Sequence, residues 1–331
     1  MRLQMRTFLR YLMVPLLAGM AALAQAEDYD MSADSDEARG LFADMQKAST
    51  SKNYELLFTR VSAGQIEPVS FSHGLTEAGS ISHWLFLNGE PSGYFTKGGL
   101  IVYFAYGTEP FAVKNALLPS VFVRLMQVPA EKILKSYTPI LLGEKRIAGR
   151  LAREIRLTAM DNYRYSYILH VDSKTGILLG AEVVHHNPGM GNDSLMESFN
   201  AVNLAVSDTP NAKVLNVENA SESFPNPADN AEPLEKFSWS LKELPPGFEP
   251  VFSQRYALGD GLDTVEHIVY SDGIADFSIY RIPLIGNMDF PVVRQGRTNL
   301  YRHQAPPYEI VAVGDLPLEA EKRIAESYRG G

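Results

Sequence analysis

Cysteine is absent from all 331 residues, which excludes disulfide staples, thiol catalysis, iron–sulfur ligation and every zinc site built on thiolate. Histidine is sparse, with seven in the chain. The adjacent pair His185-His186 would point to opposite faces of a strand, a poor arrangement for holding one ion, and reads as a strand end running into an Asn187-Pro188-Gly189 turn. Asp28, Asp30, Asp34 and Asp36 approximate a calcium loop, but the glycine and the closing glutamate fall at the wrong offsets. There is no G-x-S-x-G elbow, no G-x-x-x-x-G-K-[ST] loop and no H-E-x-x-H. The simplest signatures of acyl transfer, nucleotide hydrolysis and zincin chemistry are therefore missing. No catalytic residue, metal or cofactor is expected. Positive charge is also in deficit, with 30 Lys and Arg against 39 Asp and Glu and a net charge of −9, so nucleic acid is not an expected partner.

What remains is ordinary globular composition, 45% hydrophobic and 21% charged, at a length that suits two domains of roughly 150 residues each. The first 26 residues set the address. Arg2, Arg6 and Arg10 form a positive n-region, Tyr11 to Leu23 is apolar, and Ala24-Gln25-Ala26 is a small-x-small cleavage site, which together read as a secretory signal peptide. The alternative is an N-terminal membrane anchor, for which the apolar run is short against ~30 Å of hydrocarbon. The mature protein is expected in an exported compartment, most simply a bacterial periplasm.

Charge is uneven along the chain. Residues 114–156 carry nine basic and three acidic side chains, which suits either solvated strand edges or a patch facing an anionic partner. Ala38, Leu41, Phe42, Met45 and Ala48 recur at helical spacing and predict an opening helix. Strands follow at Tyr54 to Val61 and Ile81 to Leu87, with Asn88-Gly89 as a turn signal. Leu100 to Tyr106 is apolar without a break and reads as a strand buried on both faces. A helix is expected from Ala130 to Tyr137. Tyr163, Tyr165, Tyr167, Leu169 and Val171 alternate with Arg164, Ser166 and His170, a strand that the Asp172 to Gly176 turn sends back antiparallel. Residues 207–235 hold four prolines and six acidic residues against one lysine and read as a solvated linker. Beyond it, strands are expected near Phe237 to Leu241, Glu266 to Ser271, Ala275 to Ile282, Thr298 to His303 and Glu309 to Val313, with a terminal helix from about Pro317 to Tyr328. The fold class is α+β and mainly antiparallel β. Aromatic density between Tyr54 and Phe111 fits either an ordinary core or a curved sheet whose concave face holds a ligand.

Several strings together resemble the RseB/MucB family. They are Arg146-Ile147-Ala148-Gly149-Arg150, Asp161-Asn162-Tyr163-Arg164-Tyr165-Ser166-Tyr167, Lys236-Phe237-Ser238-Trp239, Leu244-Pro245-Pro246-Gly247-Phe248, Tyr270-Ser271-Asp272-Gly273, Gly296-Arg297-Thr298 and Val313-Gly314-Asp315-Leu316-Pro317. The resemblance spans nearly the whole mature chain in the expected order. It implies a periplasmic negative regulator of an extracytoplasmic-function sigma factor of the sigma-E or AlgU type. Such a regulator binds the periplasmic domain of a membrane-spanning anti-sigma factor of the RseA/MucA type, shields it from proteolysis and answers envelope stress through lipid or lipopolysaccharide. It implies further a large domain at 27–206 resembling lipoprotein carriers of the LolA kind, an unclosed β-barrel with helices. A smaller α+β domain at 236–331 is then the one that grips the anti-sigma factor. One departure is the segment Asn88 to Phe95, where relatives often carry Arg and Glu after the hairpin turn.

On that basis the partner contacts are expected at Trp239, Phe248, Arg255, Tyr270 and Arg297, with a core tryptophan as the other reading of Trp239. Lipid lining is expected from Phe58, Trp84, Phe86, Tyr103 and Tyr165, and headgroup attraction from Lys132, Lys135, Lys145, Arg146 and Arg150. A homo-oligomer is compatible with the sequence. The competing functions are a periplasmic lipid or lipoprotein carrier and an envelope hydrolase with an unrecognised site.

Overall fold

The structure, a computed structural model, describes residues 31–114, 116–187, 191–219, 228–229, 234–258, 263–284 and 292–330. The leader at 1–26, Asp28 and Asp30, the Pro188-Gly189 turn and much of the 207–235 stretch lie outside the described residues.

The opening helix α1 (Met31–Ser51) leads into β1 (Asn53–Ser62), β2 (Gln65–Thr76), β3 (Gly79–Phe86), β4 (Ser92–Lys97), β5 (Leu100–Ala105) and β6 (Phe111–Lys114). Two short helices, α2 (Val121–Gln127) and α3 (Ala130–Ile133), precede β7 (Tyr137–Ile147), β8 (Arg150–Ala159), β9 (Ser166–Asp172), β10 (Leu178–Asn187) and β11 (Asn192–Ser207). Helix α4 (Ala212–Asn219) and the two-residue β12 (Ala228–Asp229) complete this part. All twelve strands form one sheet, in the order β12-β6-β5-β4-β3-β2-β1-β11-β10-β9-β8-β7. Its two end strands do not pair with each other, so the barrel is unclosed.

Curvature has local causes. Bulges fall at Leu57/Phe58, Leu141/Gly143 and Val183/Val184, each bending its strand. At Gly93 a Cβ would sit 2.0 Å from the Trp84 carbonyl oxygen, so only glycine allows the close approach of β4 to β3. Helices α1 and α2 fill the concave face. Ala38, Phe42 and Met45 are fully buried on α1, and α2 buries Val121 to Met126 on all sides. The Gln46 side chain of α1 donates to the carbonyls of Leu125 (3.0 Å) and Val128 (2.6 Å), satisfying acceptors at the end of α2 that its own turns leave free.

Three expectations change here. The helix expected from Ala130 to Tyr137 is the single turn of α3, and Tyr137 already opens β7. Strand β5 is not buried on both faces: Ile101 and Val102 are, Tyr103 and Phe104 are half-buried, and Tyr106 just beyond is 71% exposed. It lies near the end of the sheet, third in the order β12-β6-β5. Part of the 207–235 stretch is structured: α4 seats Val214, fully buried, against Gly74 and Ile81.

The second domain contains β13 (Ser240–Leu241), β14 (Glu249–Leu258), β15 (Asp263–Ser271), β16 (Asp276–Pro283), β17 (Val292–Gln295), β18 (Thr298–Ala305), β19 (Tyr308–Gly314), α5 (Leu318–Glu326) and β20 (Tyr328–Arg329). Six strands make one antiparallel sheet, β14-β15-β16-β19-β18-β17, and β13 pairs with β20. The strand expected at Phe237 to Leu241 is only the pair Ser240–Leu241. Helix α5 lays Ala320, Ile324 and Ala325 on Phe277, Ile279, Ile310 and Ala312 of the sheet, the i, i+4 apolar stripe expected of a helix covering a sheet face.

Candidate functional site

Two of the aromatic residues chosen from the sequence, Trp84 and Tyr103, fall on a cross-strand ladder. Phe71, Trp84, Tyr94, Tyr103 and Phe111 stand opposite one another on β2 to β6. Burial falls along the row, from complete at Phe71 to 59% exposure at Phe111. Phe58 packs at ring distances of 5.1 Å from Phe122 on α2 and 5.2 Å from Trp84. Phe58 and Trp84 are therefore core, with Phe86 and Tyr103 half-buried against it. The concave face is filled by the protein's own side chains. A cavity of about 390 Å³ opens at the end lined by Ser80, Lys97, Leu100, Ile101, Leu118 and Gln127, away from most of the chosen residues. The Trp84 Nε1 is buried without a hydrogen-bond partner.

Tyr165 departs from that set. Its hydroxyl donates toward the carbonyls of Arg297 (3.0 Å) and Leu316 (3.1 Å) and accepts from Asn299 Nδ2 (3.1 Å), all in the second domain. Burial pushes its pKa well above the ordinary phenol value. The basic residues differ in their surroundings. Lys145 is shared between Glu154 (3.1 Å) and Glu182 (3.3 Å), and Arg150 is held bidentate by Asp172 at 2.9 and 2.8 Å. Lys132, Lys135 and Arg146 are exposed. Two of the five are thus engaged in ion pairs and three face solvent.

The partner candidates have a similar fate. Trp239, Phe248 and Tyr270 belong to the second core, where Trp239 donates to Glu266 at 2.7 Å and Phe248 and Tyr270 both pack on Phe277. Their bulk serves the domain interior, because a sheet covered by one short helix needs large side chains to fill the layer. Arg255 pairs with Glu266 at 2.7 Å but keeps 48% of its side chain exposed. Arg297 is buried between Glu197 of β11 and Asp315, each at 2.5 Å. Burial alone would lower its pKa; the two carboxylates outweigh this and hold it above the ordinary value.

These contacts define a seam between the domains that sequence reasoning missed. Arg164 donates from Nε to Asp272 at 2.7 Å, the two side chains being 1% and 2% exposed. It also bonds Asp161 and the Pro246 carbonyl and lies 4.6 Å from the Phe248 ring centre. Arg124 of α2 donates to the Ile274 carbonyl at 2.8 Å and to Asp276. Ile274, in the β15–β16 turn, packs into the core of the first domain. Gly296, at φ +63°, brings the β17–β18 turn against the β1–β2 turn, where a Cβ would stand 2.9 Å from Ser62 Oγ. The available signal was charge inside aromatic-rich strings, Arg164 among three tyrosines and Asp272 after Tyr270.

Beside the seam lies a cleft of about 700 Å³ with Arg156, Thr158, His185 and His186 from one domain and Pro317, Glu319 and Arg323 from the other. Its arginines are engaged: Arg156 with Asp193, Arg164 in the seam, and Arg323 over the Tyr163 ring at 4.1 Å. Among the described residues no group of three or more His, Asp or Glu is placed to hold a metal.

Comparison with known proteins matches both halves of this architecture. Residues 37–224 match the MucB/RseB N-terminal domain and residues 233–329 the MucB/RseB C-terminal domain. The sigma-E factor regulatory protein RseB of Salmonella typhimurium is 30% identical over 322 residues, covering 96% of this chain and 98% of that protein. RseB of Escherichia coli K12 is 28% identical over 301 residues, 88% of this chain and 90% of that one. The sigma factor AlgU regulatory protein MucB of Pseudomonas aeruginosa is 30% identical over 194 residues, 57% of this chain and 59% of that protein. In fold, the chain is similar to a solved complex of Pseudomonas aeruginosa MucA and MucB, with TM-score 0.69 and 24% identity over 89% of this chain and 99% of that one. Two domain matches in order across the described fold, with relatives aligned along almost their full length, establish that the chain belongs to the MucB/RseB family.

Proposed function

We propose that the protein is a periplasmic, non-enzymatic regulator that binds the periplasmic domain of a membrane-spanning anti-sigma factor and slows its proteolysis. The observation that carries this reading is the match of both family domains, 37–224 and 233–329, to relatives named as sigma-factor regulators. Solved complexes of MucB with MucA supply the partner class. The signal peptide expected at 1–26 supplies the compartment, and among the described residues no helix is long and apolar enough to cross a membrane. Of the five partner candidates, Arg255 on the end strand β14 is the one that offers a solvent-facing side chain, next to Tyr256, 38% exposed. It is the contact we assign first.

Lipid sensing is the finer part of the proposal. A concave face packed with α1, α2 and aromatic rings leaves no room for a large acyl load, which weighs against a bulk carrier. An amphiphile would enter at the cavity of about 390 Å³ beside Lys97, a volume within the range of small-molecule sites. The experiment uses purified protein, an RseA/MucA-type periplasmic domain and the protease that cleaves it. Protein in excess should slow cleavage, and Arg255→Glu should weaken the protection; unchanged cleavage with the wild-type protein in excess refutes the regulator reading.

A further inference from the structure

Residues 207–235 connect the domains, and their described elements α4 and β12 pack on the first domain, so the orientation of the second domain has to be selected elsewhere. The seam selects it. It closes at three charged points, Arg164 with Asp272, Arg124 with Asp276, and Arg297 between Glu197 and Asp315. It is keyed by Ile274 in the first core and by the turn contact at Gly296. A permanent interface is mostly apolar, because apolar surface has nothing to gain from water once exposed. Paired charges behave differently: they rehydrate on separation, so their burial contributes little net stability while any misfit in the closed form leaves a buried charge unpaired. Such a surface fixes orientation sharply and still opens at moderate cost.

We propose that this seam is a reversible latch, in which the charged points and Ile274 open and close as one unit while both domains stay folded. This goes beyond the regulator reading and does not depend on it. Opening together is the part that geometry demands. The turn bearing Asp272, Ile274 and Asp276 is a single tight segment, with Ile274 N and Ala275 N both donating to Asp272 Oδ1 at 2.9 and 2.8 Å. Asp315, which holds Arg297, donates its N–H to the Asp276 carbonyl at 3.0 Å, so a movement that withdraws Arg297 from Glu197 is coupled to that turn and to its contacts with Arg164 and Arg124.

The absence of cysteine makes the test clean. Ser62→Cys with Gly296→Cys provides the chain's single thiol pair, a Cβ at position 296 standing 2.9 Å from the Ser62 Oγ position that a cysteine sulfur would occupy, close enough for an S–S bond of about 2.0 Å to span the two. Comparing its oxidised and reduced forms cancels any strain of a side chain at Gly296. Hydrogen–deuterium exchange, followed by mass spectrometry on the full chain, is read at peptides covering 272–276 and at core peptides of β9 and β16. The latch predicts that the reduced form exchanges at 272–276 about tenfold faster than the oxidised form, with the cores unchanged. Glu197→Gln, remote from that turn in sequence, should speed exchange at 272–276 further, and the disulfide should abolish the gain. Equal exchange at 272–276 in the two redox forms overturns the latch, since the seam would then open only with global unfolding. Faster exchange confined to residues around position 197 overturns the single-unit claim.

Discussion

Glu321 on α5 is fully buried, and neither carboxyl oxygen has a hydrogen-bond partner of ordinary geometry. Burial pushes its pKa up to about 10 from an ordinary value of 4.5, with the Asp315 carboxylate adding to the rise and the Gly314 N–H opposing it weakly. The folded protein therefore keeps a proton there that the unfolded chain releases above about pH 4.5. Because the folded value is raised, the stability contribution is full below the unfolded value and is lost as pH climbs toward the folded one. At about 1.4 kcal/mol for each pH unit, the loss at pH 7 is roughly 3 kcal/mol. Glu321→Gln keeps the shape and a polar amide but has no proton to lose. Its stability should match wild type near pH 4.5 and exceed it by roughly 3 kcal/mol at pH 7. Urea unfolding across pH 4.5 to 9, followed by tryptophan fluorescence, measures the difference directly, since the two tryptophans sit one in each core. Subtracting the wild-type curve removes every other titrating group. A difference that stays constant with pH would show that Glu321 is ionised in the folded state and that the burial argument fails.

Other outcomes follow from the same packing. Trp239→Phe deprives Glu266 of its 2.7 Å donor while leaving Arg255 and Arg281 in place, and should cost about 1–3 kcal/mol in urea unfolding; wild-type stability would mean that the bond adds nothing. Gly93→Ala drives a methyl into the Trp84 carbonyl and should lower the melting temperature sharply, whereas an unchanged melt would mean that β3 and β4 can separate freely. A chain ending at Ser207 lacks α4 and leaves Ile81 and the Gly74 seat uncovered, so it should melt below a chain ending at Asn219, and equal melting would show that α4 contributes no packing.

The elements legible from sequence are those whose signal is local. The opening helix shows its stripe because one face of α1 meets the core and the other meets water, and Asn88-Gly89 marks its turn by chemistry alone. Helix α2 was invisible for the converse reason. Val121, Phe122 and Val123 are β-prone, and with every side burying apolar residues no polar face exists to reveal a 3.6-residue period. Leu100 to Tyr106 misled because an unbroken apolar run says only that no polar residue is present. Position in the sheet decides which faces are covered, and β5 sits near an end, where Tyr103 and Phe104 are only half-buried.

The site was harder to read for a physical reason. An alternating strand such as Tyr163 to Val171 is ordinarily read as one buried and one wet face, which assigns Arg164 and His170 to solvent. Both are buried. What makes Arg164 tolerable there is Asp272, 108 residues away, and no window of sequence contains both. The same holds for Arg297, whose partners Glu197 and Asp315 lie in different domains. An aromatic or arginine residue chosen as a partner anchor is, from composition alone, equally suited to hold two domains of one chain together, since both tasks ask for a large side chain with a directed charge or hydrogen bond. Exposure separates the two, and it leaves Arg255 as the candidate for the outside while Trp239, Phe248, Tyr270 and Arg297 serve within. With Trp239, Phe248 and Tyr270 spent on the second core and Arg297 on the seam, any partner has to be met by other surface, and the orientation of that surface is then set by the seam.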